Sequence, residues 1–225
     1  MRRLTPHDAG AVSGPGEPLC VARMRRPRPF LPGSLTMPTM DLDELLSRDP
    51  NTLPYRLTHV ATGEVLEARF EPTTPQDAEE LRGEAWAYSK FRDVWPDCVG
   101  EPQTLKLVLP HRGDDRIQGI MRLGRVPRGG YRLRGSLLES APWNQTGTPG
   151  REYVGVGRQL VLRLILECLR QGGHGSILIS ASPGSESLYT RLGFRQLTPE
   201  SPMDMVLPAG QAFGLVHEAW TLSDD

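Results

Sequence analysis

The run Tyr153-Val154-Gly155-Val156-Gly157-Arg158-Gln159-Leu160 constrains this chain more than any other stretch. Two glycines open a segment in which Val156, Leu160, Val161, Leu164, Ile165, Cys168 and Leu169 recur at helical spacing. Gly172-Gly173 then stops the helix. The first amides of a helix have no internal partner, and the helix dipole places partial positive charge there. Glycine lets an anionic group approach the backbone closely. A pyrophosphate is therefore the natural guest of the turn from Tyr153 to Gln159, and Arg158 can add a full charge. Two better-known phosphate loops do not fit. No GxxxxGK[ST] is present. Leu160 stands where a dinucleotide fingerprint needs its third glycine, and Ala181-Ser182-Pro183 stand where it needs an acid. On the glycines alone, a helix that merely begins at Gly is an equal alternative.

The elements around this helix predict an α+β fold in one domain, a mixed α/β sandwich. Tyr55–Ala61 and Glu64–Phe70 are extended runs joined by Thr62-Gly63, a hairpin signal. Thr73-Thr74-Pro75 starts a helix that runs past Trp86 and ends before Pro96. Thr104–Pro110, Ile117–Val126 and Tyr131–Ala141 form an antiparallel meander separated by polar Gly turns. After the glycine helix come a strand at Ile177–Ser182, a short helix at Ser185–Leu192 and a strand at Phe194–Leu197. The two strands of that strand–helix–strand unit are expected to be parallel. Met203–Leu207 reads as a final strand, and Gln211–Trp220 as a helix with Phe213, Val216 and Trp220 on its apolar face.

Composition excludes several classes. Hydrophobic residues at 38% suffice for a packed core, and no run is long enough for a transmembrane helix. A formal net charge of -1 gives no overall pull toward nucleic acid or membrane. Cys20, Cys98 and Cys168 form no CxxC pair and no HExxH occurs, so neither a metal site nor a disulfide framework is expected. Unpaired cysteines fit a reducing cytoplasm.

Residues 1–38 differ from the rest. They hold seven of the 21 prolines and six arginines against Asp8 and Glu17. They read as a disordered leader, or as translation assigned from too early a start, since Met24, Met37 and Met40 follow. The domain is then 39–210, with a C-terminal helix and tail at 211–225.

A second motif sharpens the reading. Leu188-Tyr189-Thr190-Arg191-Leu192-Gly193-Phe194 follows the strand after the glycine helix. With the glycine turn some thirty residues earlier, the chain resembles the GCN5-related N-acetyltransferase superfamily across roughly residues 53–208. Within it, Glu139-Ser140-Ala141-Pro142-Trp143-Asn144 is similar to a bacterial subgroup reading Glu-x-Ala-Pro-x-Asn before the turn. The resemblance implies a central, mostly antiparallel sheet with a parallel unit at the cofactor cleft. It also implies acetyl transfer from acetyl-CoA, the co-substrate, to an amine by direct attack in a ternary complex.

The resemblance assigns roles to residues. Tyr153, Val154, Gly155, Val156, Gly157, Arg158 and Gln159 would cradle the CoA pyrophosphate. Ser140, Ala141 and Ser182 would flank the pantetheine arm, with the main-chain amide near Ser140 polarising the thioester carbonyl. Tyr189 would act as general acid toward the leaving thiolate, or simply pack its ring. Glu139 would act as base, or pair with Arg132 or Arg134. Asn144 would orient substrate or cap the loop, and Trp86 would line the acceptor side or pack in the core. The acceptor is a small amine, an amino acid or a protein amino group. No membrane or nucleic-acid partner is expected, and Phe213–Trp220 suits a homodimer interface as well as a core. Two features depart from the family pattern: Glu152 stands three before Gly155, where a basic or amide residue is usual, and Ser182 replaces an Asn. They favour a rival, a non-catalytic acyl-CoA-binding or interaction module.

Overall fold

The computed structural model describes residues 42–51, 53–83, 86, 93–110, 114–127, 132–133 and 136–221. The proposed leader, 1–38, lies outside the described residues. A short helix α1 (Leu42–Ser47) leads into the hairpin of β1 (Tyr55–His59) and β2 (Val65–Pro72). Gly63, at φ 71°, makes the turn. Alternation along these strands turns Tyr55, Leu57, Ala68 and Phe70 inward, and the Tyr55 and Phe70 rings meet edge to face at 4.6 Å.

The helix expected to run to Pro96 is shorter. α2 (Asp77–Arg82) stops at Gly83, whose backbone turns extended (ψ 163°). A one-turn helix α3 (Trp95–Cys98) follows, with Pro96 inside its first turn. Proline is tolerated there because that amide has no helical partner in any case. Asp77 anchors α2 twice. Its carboxylate accepts from Thr74 N at 2.6 Å, and it pairs with Lys106 Nζ at 2.7 Å under nearly full burial.

The meander forms β3 (Thr104–Leu109), β4 (Asp114–Arg122), β5 (Arg132–Leu133) and β6 (Leu137–Ser140). After a 3-10 turn (Pro142–Asn144) comes β7 (Tyr153–Val154). Six strands build one curled antiparallel sheet in the order β6-β4-β3-β2-β1-β7. β3 is buried along its whole length, as a central strand covered on both faces should be. The long helix α4 (Val156–Arg170) packs its apolar face against this sheet. The approach is close at Gly119 of β4, where a β-carbon would lie 2.7 Å from Val156 Cγ1.

A second sheet holds β8 (Ser176–Ser180), β9 (Arg195–Thr198) and β10 (Ser201–Leu207) in the order β5-β8-β10-β9. Between β8 and β9 lies α5 (Glu186–Arg191), and α6 (Ala209–Thr221) ends the described chain. This corrects one expectation. The strands before and after α5 run in the same direction but are not neighbours, because β10 lies antiparallel between them. β9 is exposed throughout, whereas β10 buries Met205 and Leu207, so β10 takes the inner place. The parallel neighbour of β8 is β5 instead, through Arg132↔Ser176 and Leu133↔Ile177.

The third meander run therefore serves two sheets. Its start, β5, pairs with β8, and its end, β6, pairs with β4 from Gly119↔Ser140 to Arg122↔Leu137. β6 and β8 share no pairing among the described residues, so the two sheets part along this run.

Candidate functional site

A cavity of about 610 Å³ opens where the sheets part. Its walls come from three places. β6 gives Leu138, Glu139 and Ser140. The loop and turn before α4 give Asn144, Arg151, Val154, Gly155, Gly157 and Arg158. The segment after β8 gives Ser182, Ser185, Leu188, Tyr189 and Arg191. Elements far apart in sequence thus bring Glu139, Ser140, the glycine turn, Ser182 and Tyr189 to one cleft.

The glycine turn forms as its residues dictate. Gly155 caps α4 at φ 98°, a left-handed conformation that side chains disfavour. Gln159 N donates to Gly155 O at 3.0 Å and closes the first turn. Helix geometry leaves the amides of Val156, Gly157 and Arg158 as donors without intrahelical partners. Three arginines, Arg151, Arg158 and Arg191, line the cleft against one carboxylate, Glu139, among the described lining residues. Guanidiniums, helix-end amides and the hydroxyls of Ser182, Ser185 and Ser187 form a donor set for a polyanion such as a pyrophosphate.

Glu139 is nearly buried and lines the cleft. Trp95 Nε1 donates to its Oε2 at 2.6 Å, which fixes the orientation of the carboxylate. Next along β6, Ala141 N donates to Gln118 O at 3.0 Å. Strand alternation then turns the Ser140 N–H away from β4, toward the open edge of β6. Tyr189 sits at the opposite wall, 9% exposed, with its ring edge to face on Phe194 at 5.2 Å. Burial pushes its phenol up to about 12, so the group keeps its proton at neutral pH.

Other predicted site residues lie elsewhere. Tyr153 and Val156 are core residues, the tyrosine ring tilted against His59 at 5.4 Å. Gln159 turns from the cleft and donates Nε2 to Arg56 O at 2.8 Å, tying α4 to β1. Ala141 and Trp86 are wholly buried in a second core with Leu81, Trp95, Ile117 and Ile120. Trp86 meets Trp143 edge to face at 5.9 Å, so it packs the protein interior rather than the cleft wall.

Asn144 reaches the cleft wall, but its amide is committed to the fold. Nδ2 donates to Gln118 Oε1 at 2.8 Å and to Gln118 O at 3.2 Å, and Oδ1 accepts from Tyr153 N at 2.9 Å. These bonds fasten β4 to β7 and hold the loop that carries the chain from β6 to the glycine turn.

Two cleft residues carry no role in the sequence reading. Arg151 reaches the cavity, donating Nε to Tyr153 O at 3.1 Å, while Glu152 turns away and pairs with Arg116 at 2.8 Å. Arg151, four residues before Gly155, thus brings a guanidinium to the cleft. Arg191 arrives from the last turn of α5. Arg191 lies inside the Leu188–Phe194 motif and Arg151 just before the glycine turn, each at a position without an assigned role.

Among the described residues, no group of three or more His, Cys, Asp or Glu could hold a metal ion, and no helix is long and apolar enough to cross a membrane. No protein-family model matches this chain, and no curated protein or solved structure matches it significantly.

Proposed function

We propose that this chain is an acetyl-CoA-dependent N-acetyltransferase with the GCN5-related N-acetyltransferase fold, working in the cytoplasm. The observation that carries the reading is the parting of β6 from β8. It leaves a strand edge, a buried carboxylate and a protonated phenol along one cleft, with a helix N-terminus and arginines at its wall.

Acetyl-CoA supplies the thioester whose carbon the amine attacks, so that the C–N bond forms as the C–S bond breaks. The amides of Val156, Gly157 and Arg158, with Arg151 and Arg191, hold the pyrophosphate end. The Ser140 N–H donates to the thioester oxygen as negative charge develops there. Glu139 takes the proton that the amine loses. Tyr189, at about 12, donates a hydrogen bond to the departing sulfur. Full proton transfer to a thiolate is uphill, since an ordinary thiol titrates near about 8.5. Solvent therefore completes the protonation. The products are an amide and free CoA thiol.

The acceptor is a primary amine, on a small molecule or a protein. The test is thiol release from acetyl-CoA across a panel of amines, amino acids and peptides. Amine-dependent release supports the enzyme. CoA binding without release by any amine supports the rival, a non-catalytic acyl-CoA-binding module.

A further inference from the structure

We propose that Glu218 is an internal competitor for the anion site of the cleft, holding Arg158 until a phosphate of the donor displaces it. The inference rests on the acetyl-CoA reading for the identity of the donor, though not for the ion pair itself.

Arg158 is the third residue of α4 and lines the cleft. Its Nη2 lies 3.1 Å from Glu218 Oε2. Glu218 stands on α6, which is seated in the main core through the wholly buried Ala212 and Val216. Each charge sits at the wrong end of its own helix. Arg158 is in the first turn of α4, where the dipole is positive and that turn carries no acidic residue of its own. Glu218 is in the last turn of α6, where the dipole is negative and the helix carries no Lys or Arg of its own. A local rule broken twice within one ion pair, whose arginine lines the cleft, points to function rather than to stability.

An anion at the start of α4 resolves the conflict for Arg158. It meets both the guanidinium and the helix-end amides. The arginine and glutamate side chains are 33% and 55% exposed, so the pair is weak, worth about fivefold or less in an equilibrium. A phosphate group displaces it readily. Glu218 thus lowers affinity for the donor without touching the reacting atoms. It also keeps Arg158 paired when no donor is bound.

Titration calorimetry with CoA and, separately, with inorganic pyrophosphate tests this. Glu218→Gln is expected to tighten both ligands about two- to fivefold at low ionic strength, with the gain shrinking in high salt. Arg158→Gln is expected to weaken both, and adding Glu218→Gln to it should change nothing further. Equal or weaker binding by Glu218→Gln, or an equal gain without Arg158, overturns the proposal. If CoA fails to bind but pyrophosphate shows the expected pattern, the donor reading fails and the competitor stands. If neither ligand binds the unmodified protein, both fail.

Discussion

Gly157 and Leu188 are packed so closely that a β-carbon on the glycine would lie 2.7 Å from Leu188 Cδ2. The helix after β8 is therefore seated on the first turn of α4, and both form the cleft wall. Gly155 is constrained differently, by φ 98° and by Arg56 O, 3.4 Å from where a β-carbon would stand. Gly155→Ala is expected to cost about 1–2 kcal/mol through backbone strain. Gly157→Ala is expected to stay within about 1 kcal/mol of zero, because alanine favours the helix while Leu188 need only rotate. Urea denaturation of the two variants checks the order. A larger loss at Gly157 would mean that α5 cannot yield.

Asn144 joins β4 to β7 through three hydrogen bonds in a buried place. Asn144→Ala leaves Tyr153 N and the Gln118 side chain without that partner. The expected loss is about 2–4 kcal/mol, read as a fall of roughly 5–10 °C in Tm. A variant as stable as the parent would show that the clasp does not hold the sheet.

Tyr189→Phe and Glu139→Gln separate chemistry from binding. Removing the phenol hydroxyl should lower kcat about 100-fold while CoA affinity changes little. Glu139→Gln should lower kcat/KM by a similar factor of about 100. It keeps an oxygen for the Trp95 indole to bind. Steady-state rates beside calorimetric CoA affinities make the comparison. Unchanged kcat in either variant removes that residue from the mechanism.

Burial holds two phenols, those of Tyr55 and Tyr189, at about 12 rather than 10.0. Unfolding frees both to titrate normally. Below pH 10 both states are protonated and this effect vanishes. Above it, the unfolded chain releases protons that the folded chain keeps. Stability therefore falls between pH 10 and 12, by up to about 3 kcal/mol per phenol. Denaturation at about pH 8 and about pH 11 measures the slope. Tyr189→Phe should flatten it by roughly half. No difference from the parent would contradict the burial of that hydroxyl.

Local patterns made part of this fold legible. Helix α4 shows in the spacing from Val156 to Leu169, and the first hairpin in Thr62-Gly63 between alternating runs. Long-range pairing did not show. Nothing in Tyr131–Ala141 distinguishes the two residues that join β8 from the four that join β4, because both halves are equally extended. The place of β10 between β8 and β9 depends on which strand buries more side chain, a property of the assembled sheets. At the cleft, Gly155, Gly157, Arg158, Glu139 and Tyr189 were legible because motifs carry them. Gln159 and Tyr153 share the motif but face the curled sheet. Arg151 and Arg191 share the cleft but sit in no motif position with an assigned role.

Thermal unfolding with acetyl-CoA, free CoA and NAD tests the reading most directly, because a ligand bound only by the folded state raises Tm by mass action. The cleft described here predicts a rise with both CoA species and none with NAD. No rise with either CoA species would contradict it, leaving the glycine turn as a helix start alone.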